Sequence, residues 1–176
     1  MTESDAVQLC DIYNYYIKNS VITFEEEETE KEEMVRRIND ITLKYPWIVY
    51  DENGIIKGYA YANRWKERSS YRYSAENTVY VHKDYFGKGI GKKLLIRLID
   101  ELKNMKIHSI LAGIALPNEA SIVLHEKCGF IKCGILKEVG YKFGKWVDVG
   151  YWEKIIWGKI WCIQDKPEMW ITGFLF

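Results

Sequence analysis

Gly87, Gly89 and Gly91 alternate with Lys88 and Ile90 between a β-branched run, Val79-Tyr80-Val81, and a stretch with helical periodicity. Glycines let the backbone come close to a ligand, and the free amides at a helix N-terminus point at it. Together they suit an anion, above all a phosphate. Lys88, Lys92 and Lys93 add local positive charge. Just before the β-branched run stands a carboxyl group, Glu76; a histidine, His125, follows on a later helical stretch. Lys66, Arg68 and Tyr71 place two cations and a phenol upstream. An arginine fork matches a planar carboxylate, and a lysine serves a second anion as a point charge. By residue type alone each has an ordinary reading too: Glu76 as a surface charge, His125 as a structural residue, Lys66 and Arg68 as loop charges.

Known phosphate loops narrow the choice. A P-loop needs a glycine five residues before Gly91 and a hydroxyl residue after Lys92, where Phe86 and Lys93 stand. A dinucleotide fingerprint starting at Gly87 needs its third glycine at Lys92, and one starting at Gly89 needs it at Leu94. Both fail. Phe86 to Gly91 instead resembles the acetyl-CoA signature Q/R-x-x-G-x-G/A of the GNAT superfamily, with both glycines in place and Phe86 at the Gln/Arg position. Asn118-Glu119-Ala120-Ser121-Ile122-Val123-Leu124-His125-Glu126-Lys127-Cys128-Gly129-Phe130 resembles the other GNAT signature, an Asn-led helix ending in Gly-Phe. The two lie in the family's order with an apolar strand between them. Trp65-Lys66-Glu67-Arg68, Tyr71, Glu76 to Val81, Leu124-His125-Glu126, Gly140-Tyr141-Lys142 and Trp146 to Trp152 are similar to the phosphinothricin and methionine-sulfoximine acetyltransferase branch. The similarity runs from about Ile12 to Ile155.

The resemblance implies an α/β (α+β) GNAT fold: a twisted, mixed, mostly antiparallel sheet flanked by helices and splayed at the cofactor strand. It implies acetyl-CoA as co-substrate, no metal, and a small-molecule amine or amino acid as acceptor. Backbone of Val79, Tyr80 and Val81 is expected to pair with pantetheine, and amides of Gly87, Lys88, Gly89, Ile90, Gly91 and Lys92 to hold the pyrophosphate. Asn118 is expected both to touch the cofactor and to cap its helix. The amine must lose a proton before it attacks the thioester, and the thiolate is protonated on leaving. The resemblance gives the first task to Glu76 and the second to His125, with direct transfer in place of an acyl-enzyme on Cys128. Lys66, Arg68, Tyr71, Asn77 and Thr78 are the implied acceptor contacts. Phe86 cannot offer the polar support of Gln or Arg, so weaker cofactor binding is expected. Two other readings stay open: a non-catalytic acyl-CoA-binding sensor, and a protein, peptide or polyamine N-acetyltransferase.

The elements that must position these residues follow from periodicity. Ser4 is predicted to cap a helix over Asp5–Asn19. Thr29 and Glu32 fit a capping box opening a second helix to about Leu43, with the acidic run Glu25 to Glu33 as its solvated start. Trp47–Tyr50 and Ile55–Asn63 read as strands joined at Asn53-Gly54. Ala75–Val81, Ser109–Ala115, Phe130–Val139 and Trp146–Lys154 read as further strands. Gly89–Lys103 and Asn118–Lys127 read as helices, the latter stopped by Gly129. Lys plus Arg (25) balances Asp plus Glu (25), so no general attraction to nucleic acid or anionic membrane is expected. With no signal peptide, membrane span or cysteine framework in the pattern, a cytoplasmic enzyme is expected. Residues 1–156 form the expected catalytic domain. Residues 157–176 form an aromatic extension (Trp157, Trp161, Trp170, Phe174, Phe176) expected to pack in a homodimer contact.

Overall fold

The structure, a computed structural model, describes residues 3–157. Apart from Trp157, the aromatic extension lies outside the described residues. Two helices, α1 (Glu3–Asn19) and α2 (Lys31–Thr42), precede strands β1 (Trp47–Glu52), β2 (Ile55–Arg64) and β3 (Ser74–Val81). Helix α3 (Ile90–Asn104), β4 (Ser109–Ala115), α4 (Glu119–Lys127), β5 (Ile131–Lys142) and β6 (Lys145–Ile155) follow. The six strands form one sheet in the order β1-β2-β3-β4-β6-β5, antiparallel except between β3 and β4.

Each face of the sheet carries its own apolar layer. On one, α3 lays down the stripe Ile90, Leu94, Leu95, Leu98 and Leu102, all buried, against Ala60, Ala75, Ile110 and Trp152. On the other, Leu9, Ile12, Tyr13, Tyr16 and Ile17 of α1 pack with Met34 and Ile38 of α2 onto Ile56, Tyr59 and Tyr80. Period-3.6 stripes on helices and alternation along strands produce this two-sided layering.

The feature that matters for function is an interruption. Strands β3 and β4 pair only at Ser74–Ser109, Ala75–Ile110 and Glu76–Leu111. Beyond that point β3 continues to Val81 and β4 to Ala115 without registered pairs, so the sheet splits at its one parallel seam. The expected splay at Val79–Val81 is therefore present.

Two caps differ from expectation. Helix α1 already includes Glu3, which places Ser4 inside it and not ahead of it. Helix α2 starts at Lys31 after Glu30, with no side-chain cap bond. The Thr29–Glu32 capping box does not form, because Thr29 is turned toward α1. Its amide donates to Asn14 Oδ1 at 2.8 Å, its carbonyl accepts from Asn14 Nδ2 at 3.0 Å, and its hydroxyl donates to Glu25. The acidic run stays largely exposed, as expected, and three of its carboxylates also form ion pairs: Glu25 and Glu33 with Arg37 at 2.7 Å, Glu28 with Lys18 at 2.8 Å. Asn53 and Gly54 form the expected turn, with φ of 59° and 78°. The β5–β6 hairpin is longer than predicted, because Phe143 and Gly144 turn it with φ of 52° and 72°. A phenylalanine in the left-handed region gives no turn signal in sequence.

Candidate active site

A cavity of about 620 Å³ opens at the split. Val79 and Val81 of β3, the loop at Phe86, Gly87 and Gly89, the start of α3, one face of α4, and Tyr15 and Tyr16 of α1 line it. The amide of His82 donates to the carbonyl of Lys57 at 2.9 Å, which fixes the alternation along β3. Even-numbered residues therefore turn their peptide groups toward β2, while Val79 and Val81 turn theirs toward the gap. At Val81 that edge is met by Tyr16, whose hydroxyl donates to the Val81 carbonyl at 2.7 Å and accepts from its amide at 3.4 Å. Tyr80, expected to offer backbone to the ligand, pairs instead with Tyr59 and sends its ring into the α1 layer.

Gly87 and Gly89 have φ of 73° and 77°, and a Cβ on either would enter open space. That space over consecutive loop amides suits an anion. Gly91 differs: a Cβ there would lie 3.3 Å from Leu124, so this glycine lets α3 approach α4. Phe86 is half exposed, its ring centroid 6.4 Å from Tyr15 and 6.3 Å from Tyr16, so an aromatic wall stands at the Gln/Arg position. Asn118 lines the cavity and caps α4, its Oδ1 accepting from the Ser121 amide at 3.1 Å. His82, unassigned by sequence, accepts from the Asp84 amide at 3.3 Å and caps the turn that leads into the loop.

Glu76 occupies the last paired position of β3 before the split. Its Oε1 sits 3.0 Å from where a Cβ of Gly113 would be, and the Tyr151 ring lies 3.4 Å from the same point. The missing side chain at Gly113 makes room for the carboxylate. Burial raises the Glu76 pKa, and the nearby charge of Lys66 partly offsets that rise. A carboxylate raised in this way is a better proton acceptor near neutral pH than an exposed one.

An acetyltransferase (GNAT) domain matches residues 1–150. The chain belongs to the GNAT acetyltransferases. Phosphinothricin N-acetyltransferase of Streptomyces viridochromogenes is 37% identical over 153 residues, 87% of this chain and 84% of that one. The acetyltransferase YncA of Salmonella typhimurium, solved with its cofactor acetyl-CoA, has a TM-score of 0.87 at 32% identity, covering 96% of this chain and 95% of that one. Ribosomal-protein-alanine N-acetyltransferase of Brucella melitensis has a TM-score of 0.85 at 36% identity, covering 88% and 96%. The protein is an N-acetyltransferase, and the split sheet is the GNAT fold in which such relatives hold acetyl-CoA.

The residues predicted to contact the acceptor divide. Thr78 lies two places along β3 from Glu76, opposite Tyr61 of β2. Trp65 meets Tyr151 edge-on at 5.4 Å, and Lys66 sits over the Trp65 ring with Nζ 4.7 Å from its centroid. Arg68 and Tyr71 stay exposed in the β2–β3 connection. His125, expected as a proton donor, is only 4% exposed and has both ring nitrogens engaged, Nε2 by Asn77 and Nδ1 by Ser121. The sequence reading missed Tyr16, Gly113, Tyr151 and Lys127. Tyr16 belongs to an amphipathic stripe that also serves the core, and the others gain meaning only once β3, β4, β6 and α4 are side by side.

Proposed function

We propose that the enzyme acetylates the α-amine of a small amino-acid-like molecule by direct attack on acetyl-CoA, with Glu76 as general base. The observation that carries this reading is the place of Glu76: a half-buried carboxylate with a raised pKa, at the point where the sheet opens, with Lys66 close by. Loop amides over Gly87 to Lys92 would hold the pyrophosphate, and the turned-out edge of Val79 and Val81 would hold pantetheine. Acetyl-CoA then supplies the acyl group as an activated thioester. Glu76 takes the ammonium proton, directly or through water, while Lys66 offers a cation to the acceptor's carboxylate. His125 acts here as a positioning residue for Asn77 rather than as the acid.

The Streptomyces relative's name supports an amino-acid-like acceptor such as phosphinothricin, and the resemblance to the methionine-sulfoximine acetyltransferases adds methionine sulfoximine to that class. The Brucella relative's name favours a peptide N-terminus, but the Trp65–Tyr151 contact narrows the acceptor side and fits a small ligand better. Self-association is part of the reading, since Val139, Tyr141, Phe143 and Trp146 of the β5–β6 hairpin are all more than half exposed. Light scattering of the full chain at a dimer's mass is the expected result, and a monomer would remove this part. Free-thiol release from acetyl-CoA over a panel of amino acids, alkylamines, polyamines and alanine-led peptides tests the main proposal. Amino acids with a phosphinate or sulfoximine side chain should give the highest kcat/KM, and a peptide leading the panel would overturn the small-acceptor reading.

A further inference from the structure

We propose that Lys92 and Lys127 form a binding site for the 3′-phosphate of coenzyme A and make the enzyme discriminate against the dephospho form. This rests on the cavity being the acetyl-CoA cleft. Among the described residues that line that cavity only two are charged, and both are these lysines; none of the lining residues carries a carboxylate.

The other lysines around the loop are already engaged. Lys83 pairs with Asp84 at 2.9 Å. Lys88 turns back to donate to the Asp84 carbonyl at 3.0 Å and lies over the Tyr85 ring. Lys93 donates to the Tyr50 hydroxyl at 3.1 Å and lies over that ring. Among the described residues, neither the Lys92 nor the Lys127 side chain makes an ion pair or hydrogen bond.

Their positions differ in what the helix itself explains. Lys127, in the last turn of α4, sits where the helix dipole welcomes a cation. Lys92, in the first turn of α3, sits at the end that disfavours one. An anion held nearby resolves that conflict. The two lysines come from different helices yet share one rim. Gly91, beside Lys92, lets α3 close on Leu124, one turn before Lys127. The charge of Lys92 is also felt by the thiol of Cys128, the neighbour of Lys127.

Coenzyme A carries its phosphates in two places separated by one ribose. Loop amides around Gly87 and Gly89 suit the pyrophosphate, and the apolar interior lined by Val79, Val81, Ile90 and Leu124 suits the pantetheine arm. The monoester 3′-phosphate is then left at the rim, close to a dianion at neutral pH. Two flexible ammonium groups answer a phosphate monoester as point charges.

The test compares acetyl-CoA with acetyl-dephospho-CoA in steady state, and adenosine 3′,5′-bisphosphate with AMP by calorimetry. Wild type, Lys92→Gln, Lys127→Gln and the double variant are measured. Wild type should prefer the 3′-phosphorylated member of each pair, with about a tenfold loss of preference per lysine removed and a ratio near one in the double variant. Because the site is exposed, added salt should shrink the wild-type ratio. A wild type indifferent to the 3′-phosphate overturns the proposal. So does a double variant with an unchanged ratio, or one that loses both members of a pair equally, which would assign the lysines to the pyrophosphate or to folding. If lysine-dependent nucleotide preference appears without turnover of any amine, the acceptor chemistry fails and this site stands.

Discussion

Nε2 of His125 lies 3.0 Å from Oδ1 of Asn77, one residue past the last registered pair between β3 and β4. Asn77 donates through Nδ2 to the Leu111 carbonyl at 2.9 Å, so its Oδ1 must accept and Nε2 of His125 must carry a proton. Nδ1 faces the Ser121 carbonyl at 2.8 Å and the Ser121 hydroxyl at 3.3 Å. Burial lowers the His125 pKa, and the Ser121 carbonyl works against that as the smaller effect. Only the imidazolium could donate to Asn77 Oδ1 and to the Ser121 carbonyl at once, and burial works against it; the neutral Nε2–H ring keeps the Asn77 bond and leaves Nδ1 to accept from the Ser121 hydroxyl. A chain from α4 through Asn77 to β4 thus bridges the strands where their own ladder stops.

Removing that bridge should therefore cost stability before it costs chemistry. Asn77→Leu leaves the Leu111 carbonyl and the His125 N–H buried without partners, each worth about 1–3 kcal/mol. Urea unfolding should show the midpoint fall with an unchanged slope. The pH dependence has a fixed sign. With the folded pKa of His125 below its unfolded value of about 6.5, the unfolded chain binds more protons as pH falls through that range, so stability declines. In His125→Gln this share of the decline should disappear, and a stability curve parallel to wild type between pH 7 and 5 would count against it.

Glu76 carries the opposite sign. Its folded pKa is raised, so the ionised carboxylate is a cost to folding that is full above the folded pKa and absent below the unfolded one. Glu76→Gln should raise Tm at pH 7.5, and the gain should fade as pH approaches 4. The same change should lower kcat by about 10²–10⁴-fold with little change in acetyl-CoA affinity, and erase the acidic limb of the rate profile. A variant that is no more stable at neutral pH, or retains a third of its kcat, would contradict the buried-base assignment.

Much of this site was legible in sequence, because its signals are local. Gly87, Gly89, Asn118 and Gly129 announce their turns and caps within a few residues, and the stripe of α3 repeats four times over. What stayed hidden depends on strands distant in sequence. Gly113 looks like any strand glycine until β4 and β6 bring the Tyr151 ring beside Glu76. His125 reads as a free imidazole until Asn77 is seen to hold it. The Thr29–Glu32 box was a sound local pattern that lost to a tertiary one, the paired bonds between Thr29 and Asn14.

Gly140 and Phe24 offer a test of how the β5–β6 hairpin is held. A Cβ on Gly140 would lie 2.2–2.9 Å from the Phe24 ring, and the neighbouring Lys142, only 1% exposed, donates to the Thr23 carbonyl at 2.8 Å. The β5–β6 hairpin is thus clasped to the segment between α1 and α2. Gly140→Ala should destabilise by about 1–3 kcal/mol through overpacking. Phe24→Ala in the same chain should recover part of that loss, a coupling that a double-mutant cycle measures directly. Strict additivity of the two changes would mean that the clasp does not form.

In the proposed reading, Lys66 sets what kind of amine the site prefers. Of the cations expected to clamp the acceptor, it alone comes close enough to Glu76 to shift its pKa, whereas Arg68 remains exposed in the connecting segment. Its ammonium lies over the Trp65 ring and its charge reaches Glu76, which must stay ionised to act as a base. An acceptor carboxylate beside Lys66 would share that charge while its amine faces Glu76, so amino acids and their decarboxylated amines should be told apart here. Lys66→Met should raise KM for an amino acid by about tenfold or more, within the range of a lost charged hydrogen bond of ~1.5–3 kcal/mol. KM for the corresponding amine should change little, and Arg68→Ala should have the smaller effect of the two. Lys66→Met should also move the acidic limb of the rate profile upward, since the cation that partly offsets burial is gone. Equal turnover of an amino acid and its decarboxylated amine by wild type would rule the carboxylate contact out and favour a polyamine or arylalkylamine acceptor.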